Sequence, residues 1–251
     1  MGAYGMADPL HDSAVSLAWL LQVNDSQFPS GAYAHSMGLE ELTQRGLIRH
    51  AEGLEAFLHQ QVIPSLLAFE LPFLARAHDA ARREDLRALH ALDDELEAWK
   101  IAAELRQASR QLGSRRLALV HKLEHVTPGE ESSRTSGPPS PPPPFPTRYA
   151  AAGAPCHHLI ICALELRRLP AVAAATAFAH QTLSGYCIAA MKLIRMGQER
   201  CQLMIRRAMV EVAPRIAAVA EDSPARIGWF NPLLEIASMR HARAHERLFI
   251  S

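Results

Sequence analysis

Apolar residues recur at spacings of three and four positions along most of the chain, and this periodicity constrains the fold more than any other feature. Such spacing places apolar side chains on one face of an α-helix, whereas half-buried strands need a sustained alternation that is missing here. The residues that favour helices, Ala, Leu, Arg, Glu and Gln, dominate the sequence. With 251 residues and a hydrophobic fraction of 49%, the chain can bury a substantial core. We therefore predict an all-α, helical-bundle-like domain of about eight to ten helices.

Helix boundaries follow from the periodic segments and from the residues that interrupt them. Gly46 suits the left-handed position after a helix, and Pro64 and Pro72 indicate kinks or boundaries because proline lacks a backbone donor. Pro214 predicts a bend within a long helix. The predicted helices cover residues 13–23, 35–45, 51 onwards, 85–98, 99–124, 156–167, 170–196, 198–221 and 232–247. The dense alanines of residues 171–175 favour a central, buried helix.

Two segments lie outside this helical pattern. We predict a flexible N-terminus over residues 1–12, followed by one helical domain over residues 13–251. Residues 127–153 combine many prolines with Ser, Gly and Glu, a composition that favours extended, solvated chain. We predict an exposed, disordered linker or insertion at 127–153. A ligand for a proline-recognition domain is the functional alternative for this segment.

Composition excludes several classes of partner and location. The 26 basic residues balance the 26 acidic ones, so no global charge predicts a nucleic-acid or membrane partner. The cysteines form no C-x-x-C pair and lie in apolar, helix-like contexts, which indicates reduced thiols; they are Cys156, Cys162, Cys187 and Cys201. No basic leader precedes an apolar run, and no segment offers about twenty consecutive apolar residues. We predict a cytoplasmic location.

The histidines are the main candidates for metal or catalytic chemistry. His241 and His245 are four residues apart on one predicted helical face, although the sequence lacks the glutamate of an H-E-x-x-H motif. His157 and His158 are adjacent and point to different sides of a helix, which favours a capping or packing role. His35 has no nucleophile motif near it, and no phosphate-binding loop occurs. We therefore predict no catalytic residue, no cofactor and no stable metal site.

Carboxylates cluster between positions 93 and 97, where Asp93, Asp94, Glu95 and Glu97 lie on one predicted helix. They stand among Arg and Lys residues, and a charge run of this kind is usually a solvated helix face. We predict a solvated face here rather than an acid/base pair.

Four segments together resemble the UreF family of urease accessory proteins. Residues 20–40 match its leucine-rich helix, Pro-Gly loop and S-x-G-L-E helix. A histidine at 157 or 158 matches the one that opens a helix in that family. Residues 192–198 are similar to its Gly-Gln junction, and residues 231–251 resemble P-x-L-x-I-A-S-x-x-H followed by a terminal R-L-F-x-S. The resemblance covers about residues 14–125 and 156–251, and the Pro-rich segment lies outside it.

The resemblance implies a non-catalytic adaptor for nickel insertion into apo-urease. Such a protein is expected to form a homodimer, to bridge UreD (also called UreH) and the GTPase UreG, and to modulate GTP hydrolysis by UreG. Nickel would pass through the complex without being stably bound. The residues expected to bind partners are Glu40, Arg195, Gln198, His241, Arg247, Leu248, Phe249 and Ser251; those expected to have structural roles are Pro29, Gly31, Gly38 and Gly197.

Several alternatives remain open from the residues themselves. Glu40 and Arg195 suit either a partner contact or an intramolecular cap or ion pair. The Arg-Leu-Phe end suits either a partner or a tail docked on its own domain. Two other classes of protein compete with the adaptor: a helical metalloenzyme that uses His241 and His245, and a scaffold that recruits partners through the Pro-rich segment.

Overall fold

The computed structural model of the chain describes residues 9–124, 143–221 and 227–251, and no strand occurs within these ranges. The prediction of an all-α fold is confirmed. The α-helices are α1 (Pro9–Asn24), α2 (Leu39–Gln44), α3 (Ala51–Phe57), α4 (Ile63–Ser65), α5 (Leu71–Arg82), α6 (Leu86–Trp99), α7 (Ala103–Glu124), α8 (Phe145–Ala151), α9 (His158–Glu165), α10 (Ala171–Leu193), α11 (Gln198–Glu221) and α12 (Pro232–His241). None of the described helices is both long and apolar enough to span a membrane.

Helix α10 lies at the centre of the molecule. It packs most extensively against α11, the next helix along the chain, and also against α5. Its buried alanines, among them Ala174, Ala175 and Ala179, allow these neighbours to approach closely. The main core then continues through α5, α9 and α7, with Phe73, Ile160 and other large apolar side chains fully buried.

The stretch between α3 and α5 is a continuous helical path with two widened turns. π-Helical turns at Leu58–Val62 and Leu66–Glu70 each come directly before a helical segment that carries a proline. Pro64 and Pro72 stand at the first positions of these segments. Because a proline ring clashes with the carbonyl four residues earlier, the wider turn gives it room without ending the path. The prolines therefore mark segment boundaries within one long element.

Helix α1 packs on a second, smaller apolar cluster and is fixed by a buried ion pair. Arg116 of α7 forms a bidentate pair with Glu165 of α9, and its Nη2 also donates to the carbonyl oxygen of Val23 at 2.6 Å. Trp19 Nε1 donates to the carbonyl oxygen of Glu165 at 3.0 Å. These contacts join α1 to α7 and α9.

Four predicted boundaries are wrong. Residues 9–12 belong to α1, whereas the rest of the predicted flexible N-terminus lies outside the described residues. Residues 145–151 form α8, with Phe145 and Tyr149 buried, so this part of the predicted linker is a packed helix; residues 125–142 lie outside the described ones. Helix α2 begins at Leu39 instead of residue 35, and α12 ends at His241 instead of residue 247.

Candidate functional site

The last residues of the chain dock against the start of α2, and a single carboxylate holds them there. Glu40 Oε1 accepts a hydrogen bond from the backbone N–H of Leu248 at 2.7 Å, and Oε2 accepts one from Phe249 at 3.0 Å. Glu40 is buried although it lies in the first turn of a helix. We call residues 242–251 the C-terminal tail. One buried acid therefore binds two consecutive backbone donors of this tail.

His241 connects this carboxylate to a second one. Its Nε2 lies 2.9 Å from Oε2 of Glu40, and its Nδ1 lies 3.0 and 3.1 Å from the two carboxylate oxygens of Glu104. Ser238 Oγ donates to Glu104 at 3.2 Å, and Arg247 lies 3.3 Å from the same carboxylate. The triad of Glu40, His241 and Glu104, of which Glu40 and His241 are buried, thus joins α2, α12 and α7.

These contacts determine how Glu40 ionises. Burial opposes its negative charge, but the N–H groups of Leu248 and Phe249, together with His241, outweigh burial and lower the pKa of the Glu40 carboxyl group below its ordinary value. The tail is consequently held by a carboxylate that stays charged at neutral pH.

The chain end itself is held by the loop before α2. The carbonyl oxygen of Ser251 accepts hydrogen bonds from the N–H of Ser36 at 2.5 Å, from the Ser36 hydroxyl at 2.8 Å and from the N–H of Met37 at 3.2 Å. His35 Nδ1 lies 2.7 Å from Ser251 Oγ, and burial together with Arg115 lowers the pKa of His35. Because these donors face the chain end, residues 35–37 do not form a helix and α2 begins later than predicted.

The aromatic ring of the tail packs beside a lysine of α10. Phe249 is buried, and Lys192 Nζ lies 5.2 Å from the centre of its ring. The same ammonium group donates to the carbonyl oxygen of Tyr33 at 3.3 Å. The neighbouring tail residues Leu248 and Ile250 remain exposed. The docked tail therefore buries one apolar side chain and presents two others to solvent.

The structure divides the predicted partner-binding residues into two groups. The residues of the first group are buried and take part in contacts among α2, the loop before it, α12 and the tail: Glu40, His241, Phe249 and Ser251. The residues of the second group are exposed: Arg195, Gln198, Arg247 and Leu248. For Glu40 and for the tail, the intramolecular role considered from the sequence is the one seen, since the tail docks on its own domain. The buried position of His241, between Glu40 and Glu104, was not among the roles considered for it. Partner binding by either group stays a prediction.

The residues predicted to have structural roles differ in whether the backbone at their positions requires that residue type. Gly31 and Gly38 have φ values of 84° and 87°, a left-handed conformation that favours glycine. A Cβ on Gly38 would lie 3.4 Å from Cβ of Ala237, so this glycine also allows α12 to approach. Pro29 lies in the exposed turn before Gly31. Gly197 has neither a positive φ nor a neighbour within 4 Å of an added Cβ, so neither feature requires glycine there, and its structural role stays a prediction.

The pairing of His241 with His245 as metal ligands is contradicted. Helix α12 ends at His241, so His245 does not continue the same helical face. Carboxylates face both ring nitrogens of His241, which leaves neither free to ligate a metal ion. Among residues 9–124, 143–221 and 227–251, no group of three or more His, Cys, Asp or Glu side chains is arranged to hold a metal ion.

Asp93 is the buried residue that the sequence prediction assigned to a solvated face. It is fully buried and accepts hydrogen bonds from the N–H groups of Cys156 at 2.6 Å and His157 at 3.0 Å, and from the hydroxyl of Tyr149. The available signal was its position between Leu89 and Leu96, four residues after one and three before the other. Asp93 therefore fixes both α8 and the start of α9.

The two adjacent histidines at the start of α9 have packing roles. His157 is buried, with Nδ1 3.0 Å from Ser109 Oγ and Nε2 2.8 Å from Glu97. His158 lies 3.6 Å from the thiol sulfur of Cys162, and burial lowers the pKa of His158 to about 3. His157 thus faces α6 and α7, whereas the ring of His158 lies 6.3 Å from the ring of Phe178 in α10, so the two point to different sides as their adjacency predicted.

The fold and site together define an all-α protein whose C-terminal tail is anchored by a Glu–His–Glu triad. The family model that matches the chain is UreF, over residues 48–209. The urease accessory protein UreF of Paenarthrobacter aurescens strain TC1 is 32% identical over 238 residues, covering 92% of this chain and 96% of the relative. The UreF proteins of Pseudomonas putida strain GB-1 and Thermosynechococcus vestitus are 29% and 27% identical, and each is covered over its full length. The chain belongs to the UreF family of urease accessory proteins.

Proposed function

We propose that the chain acts as a non-catalytic adaptor that bridges UreD/UreH and the GTPase UreG during nickel insertion into apo-urease. In this role it modulates GTP hydrolysis by UreG in the cytoplasm, works as a homodimer, and lets nickel pass through the complex without holding it. The observation that carries the proposal is the anchored C-terminal tail. Its backbone is fixed to Glu40 while the side chain of Leu248 points away from the domain.

Exposed apolar side chains accompany the tail along α12. Leu233, Ile236 and Met239 are exposed on this helix, and Leu248 and Ile250 are exposed on the tail. Exposed apolar side chains on a rigid backbone suit partner binding, since that backbone is already ordered and loses little further conformational entropy when a partner binds. Arg240 at the end of α12 and Arg243 at the start of the tail are both exposed, so an acidic rim on the partner would complement this surface.

The chemistry of the site supports binding over catalysis. Glu40, Glu104 and His241 bond to one another and to the tail, so their polar atoms are already satisfied within the chain. A general acid or base must reach a proton of its substrate, and these groups face protein atoms instead. The triad therefore works as an anchor in this proposal.

Co-purification tests the proposal most directly. Leu248 and Leu47 are both 63% exposed, but Leu47 lies between α2 and α3, outside the tail. We expect Leu248→Asp to reduce co-purification of UreD/UreH and UreG by at least about tenfold, equivalent to 1.4 kcal/mol, and Leu47→Asp to leave it unchanged. GTP hydrolysis by UreG, measured with and without the chain, should change with the wild type and not with Leu248→Asp. Equal recovery with both variants would count against the tail as the binding surface.

A further inference from the structure

A basic cavity lies between the end of α5 and the turn that joins α9 to α10. It has a volume of about 610 Å³, and three arginines line it: Arg82, Arg167 and Arg168. Among the described residues that line it, Glu84 is the one carboxylate, and it lies 3.1 Å from the guanidinium group of Arg148. The positive charges of the cavity therefore outnumber the negative ones, and the negative one is already paired.

Two of the three arginines have no carboxylate partner in the chain. Arg82 and Arg168 are exposed, and neither forms an ion pair with another residue of the ranges 9–124, 143–221 and 227–251. Arg83, the neighbour of Arg82, instead pairs with Asp79 at 3.0 Å. Like charges that line one cavity repel one another, and an anion placed between them relieves that repulsion. The guanidinium groups of Arg82 and Arg168 are therefore available to an anion from solution.

The third arginine belongs to a turn that is held in place by hydrogen bonds. Arg167 is only 6% exposed, and its Nη1 donates to the carbonyl oxygen of Leu164 at 3.0 Å. His78 of α5 approaches the same turn, with Nε2 3.2 and 3.1 Å from the carbonyl oxygens of Leu166 and Leu169. These bonds satisfy carbonyl groups near the end of α9, whose partial negative charge would otherwise oppose an anion. The cavity wall is thus ordered before a ligand binds.

The start of α10 borders the same cavity. Pro170 lines the cavity and is the N-cap residue of this helix of 23 residues, and no side chain of the described residues caps the first turn. The first N–H groups of a helix have no partner within it, and they give its N-terminus a partial positive charge. This charge adds to that of the arginines, which are the groups that define the cavity.

We propose that this cavity binds a phosphate-type oxyanion, either free inorganic phosphate or the phosphate group of a larger molecule. A guanidinium group presents a planar fork of N–H donors that matches two oxygens of a phosphate. The described residues that line the cavity include no aromatic side chain, so the site recognises the phosphate group rather than a stacked base. The site lies apart from the tail surface, since Pro170 and Lys192, which contacts Phe249, stand at opposite ends of α10, roughly 30 Å apart.

Calorimetric titration of the full-length chain with inorganic phosphate tests the proposal, with the ionic strength held constant by sodium chloride. We expect Arg82→Gln and Arg168→Gln each to raise the phosphate dissociation constant at least about tenfold, because each removes a charged donor from the cavity. Both side chains are exposed, so neither substitution should unfold the chain. In wild type, phosphate should also shift the backbone amide NMR signals of Ala171 and Val172, which locates the bound anion beside the start of α10.

A matched control separates the cavity from a general effect of charge. Arg206 of α11 is exposed, forms no ion pair within the described residues and lies outside the cavity, so Arg206→Gln should bind phosphate like the wild type. No phosphate binding by the wild type would overturn the proposal. Equal weakening by all three substitutions would overturn it as well, since the attraction would then depend on net charge alone.

Two further probes identify the source of the anion. Glycerol 3-phosphate carries a phosphate ester without a base, so tighter binding than that of inorganic phosphate would assign the site to a larger phosphorylated molecule, and weaker binding would assign it to free phosphate. Binding of an oligoglutamate peptide without binding of either phosphate compound would overturn the proposal, because the cavity would then recognise carboxylates. The titrations use the isolated chain, so their failure would leave the adaptor role untouched.

Discussion

Replacing Glu40 with alanine removes the acceptor that holds the C-terminal tail. The substitution deletes the hydrogen bonds from the N–H groups of Leu248 and Phe249 and the contact with His241. Glu104 still faces the other ring nitrogen of His241, so α12 keeps its contact with α7. The substitution should therefore release the tail while the helical domain stays folded.

The expected magnitude follows from the lost contacts. A hydrogen bond to a charged group contributes about 1.5–3 kcal/mol, so the two backbone bonds contribute about 3–6 kcal/mol together. The released N–H groups form hydrogen bonds to water, so the net free-energy loss lies near the lower end of this range, at about 3 kcal/mol. Each 1.4 kcal/mol changes an equilibrium constant tenfold, so the population with a released tail should rise on the order of 100-fold.

Trypsin cleavage after Arg247 measures this population. In the docked tail the N–H of Leu248 bonds to Glu40, so cleavage of the Arg247–Leu248 bond requires release of the tail. When opening and closing are fast, the rate of loss of residues 248–251, followed by mass spectrometry, is proportional to the released fraction. Glu52→Ala is the control, because Glu52 is 71% exposed and its ion pair with Arg200 lies on the surface. Equal cleavage rates in Glu40→Ala and Glu52→Ala would refute the anchoring role of Glu40.

Two further predictions concern pH and a second buried acid. Because the folded-state pKa of Glu40 lies below its ordinary value of 4.5, its stabilisation is complete above that pH and is lost as the pH falls through the folded-state pKa. The protection factor of the Phe249 amide, which is its exchange rate corrected for the intrinsic rate at each pH, should fall on acidification below pH 4.5, and Glu40→Gln should abolish this dependence. Asp93→Ala should lower the free energy of unfolding in urea by about 3–5 kcal/mol, whereas Tyr149→Phe should cost about 1 kcal/mol; similar values for both would contradict the capping role of Asp93.

The helices themselves could be predicted because their signals are local. Helix α11 has the predicted bounds, and α6 begins after Asp85, whose side chain accepts from the N–H of Ala88 at 3.0 Å. Helix α8 was missed because the prolines before it favour extended chain. Its own signals are Pro146 at the start of the helix and the four-residue spacing of Phe145 and Tyr149. Composition averaged over residues 127–153 concealed a helix of seven residues.

The Glu–His–Glu triad could not be predicted because it depends on contacts between distant segments. His241 is 201 positions from Glu40 and 137 from Glu104. The family resemblance marked Glu40 and His241, but Glu104 carries no motif, and only the packing of α12 against α2 and α7 brings the three together. A carboxylate can be buried at a tolerable free-energy cost only where hydrogen-bond or charge partners surround it. Those partners come from other helices, so the sequence of one helix does not reveal them.

Two of the buried carboxylates nevertheless have a common local signal. Asp93 is four residues after Leu89, and Glu165 is four residues after Ile161, so each acid shares a helical face with a fully buried apolar side chain. The apolar residues on the same helical face determine whether the acid is buried, because turning the acid into solvent would also expose those apolar neighbours. The acid must then find a partner, which is the backbone at the start of α9 for Asp93 and Arg116 for Glu165. A charged residue in an apolar stripe is thus better interpreted as half of a buried contact than as part of a solvated face.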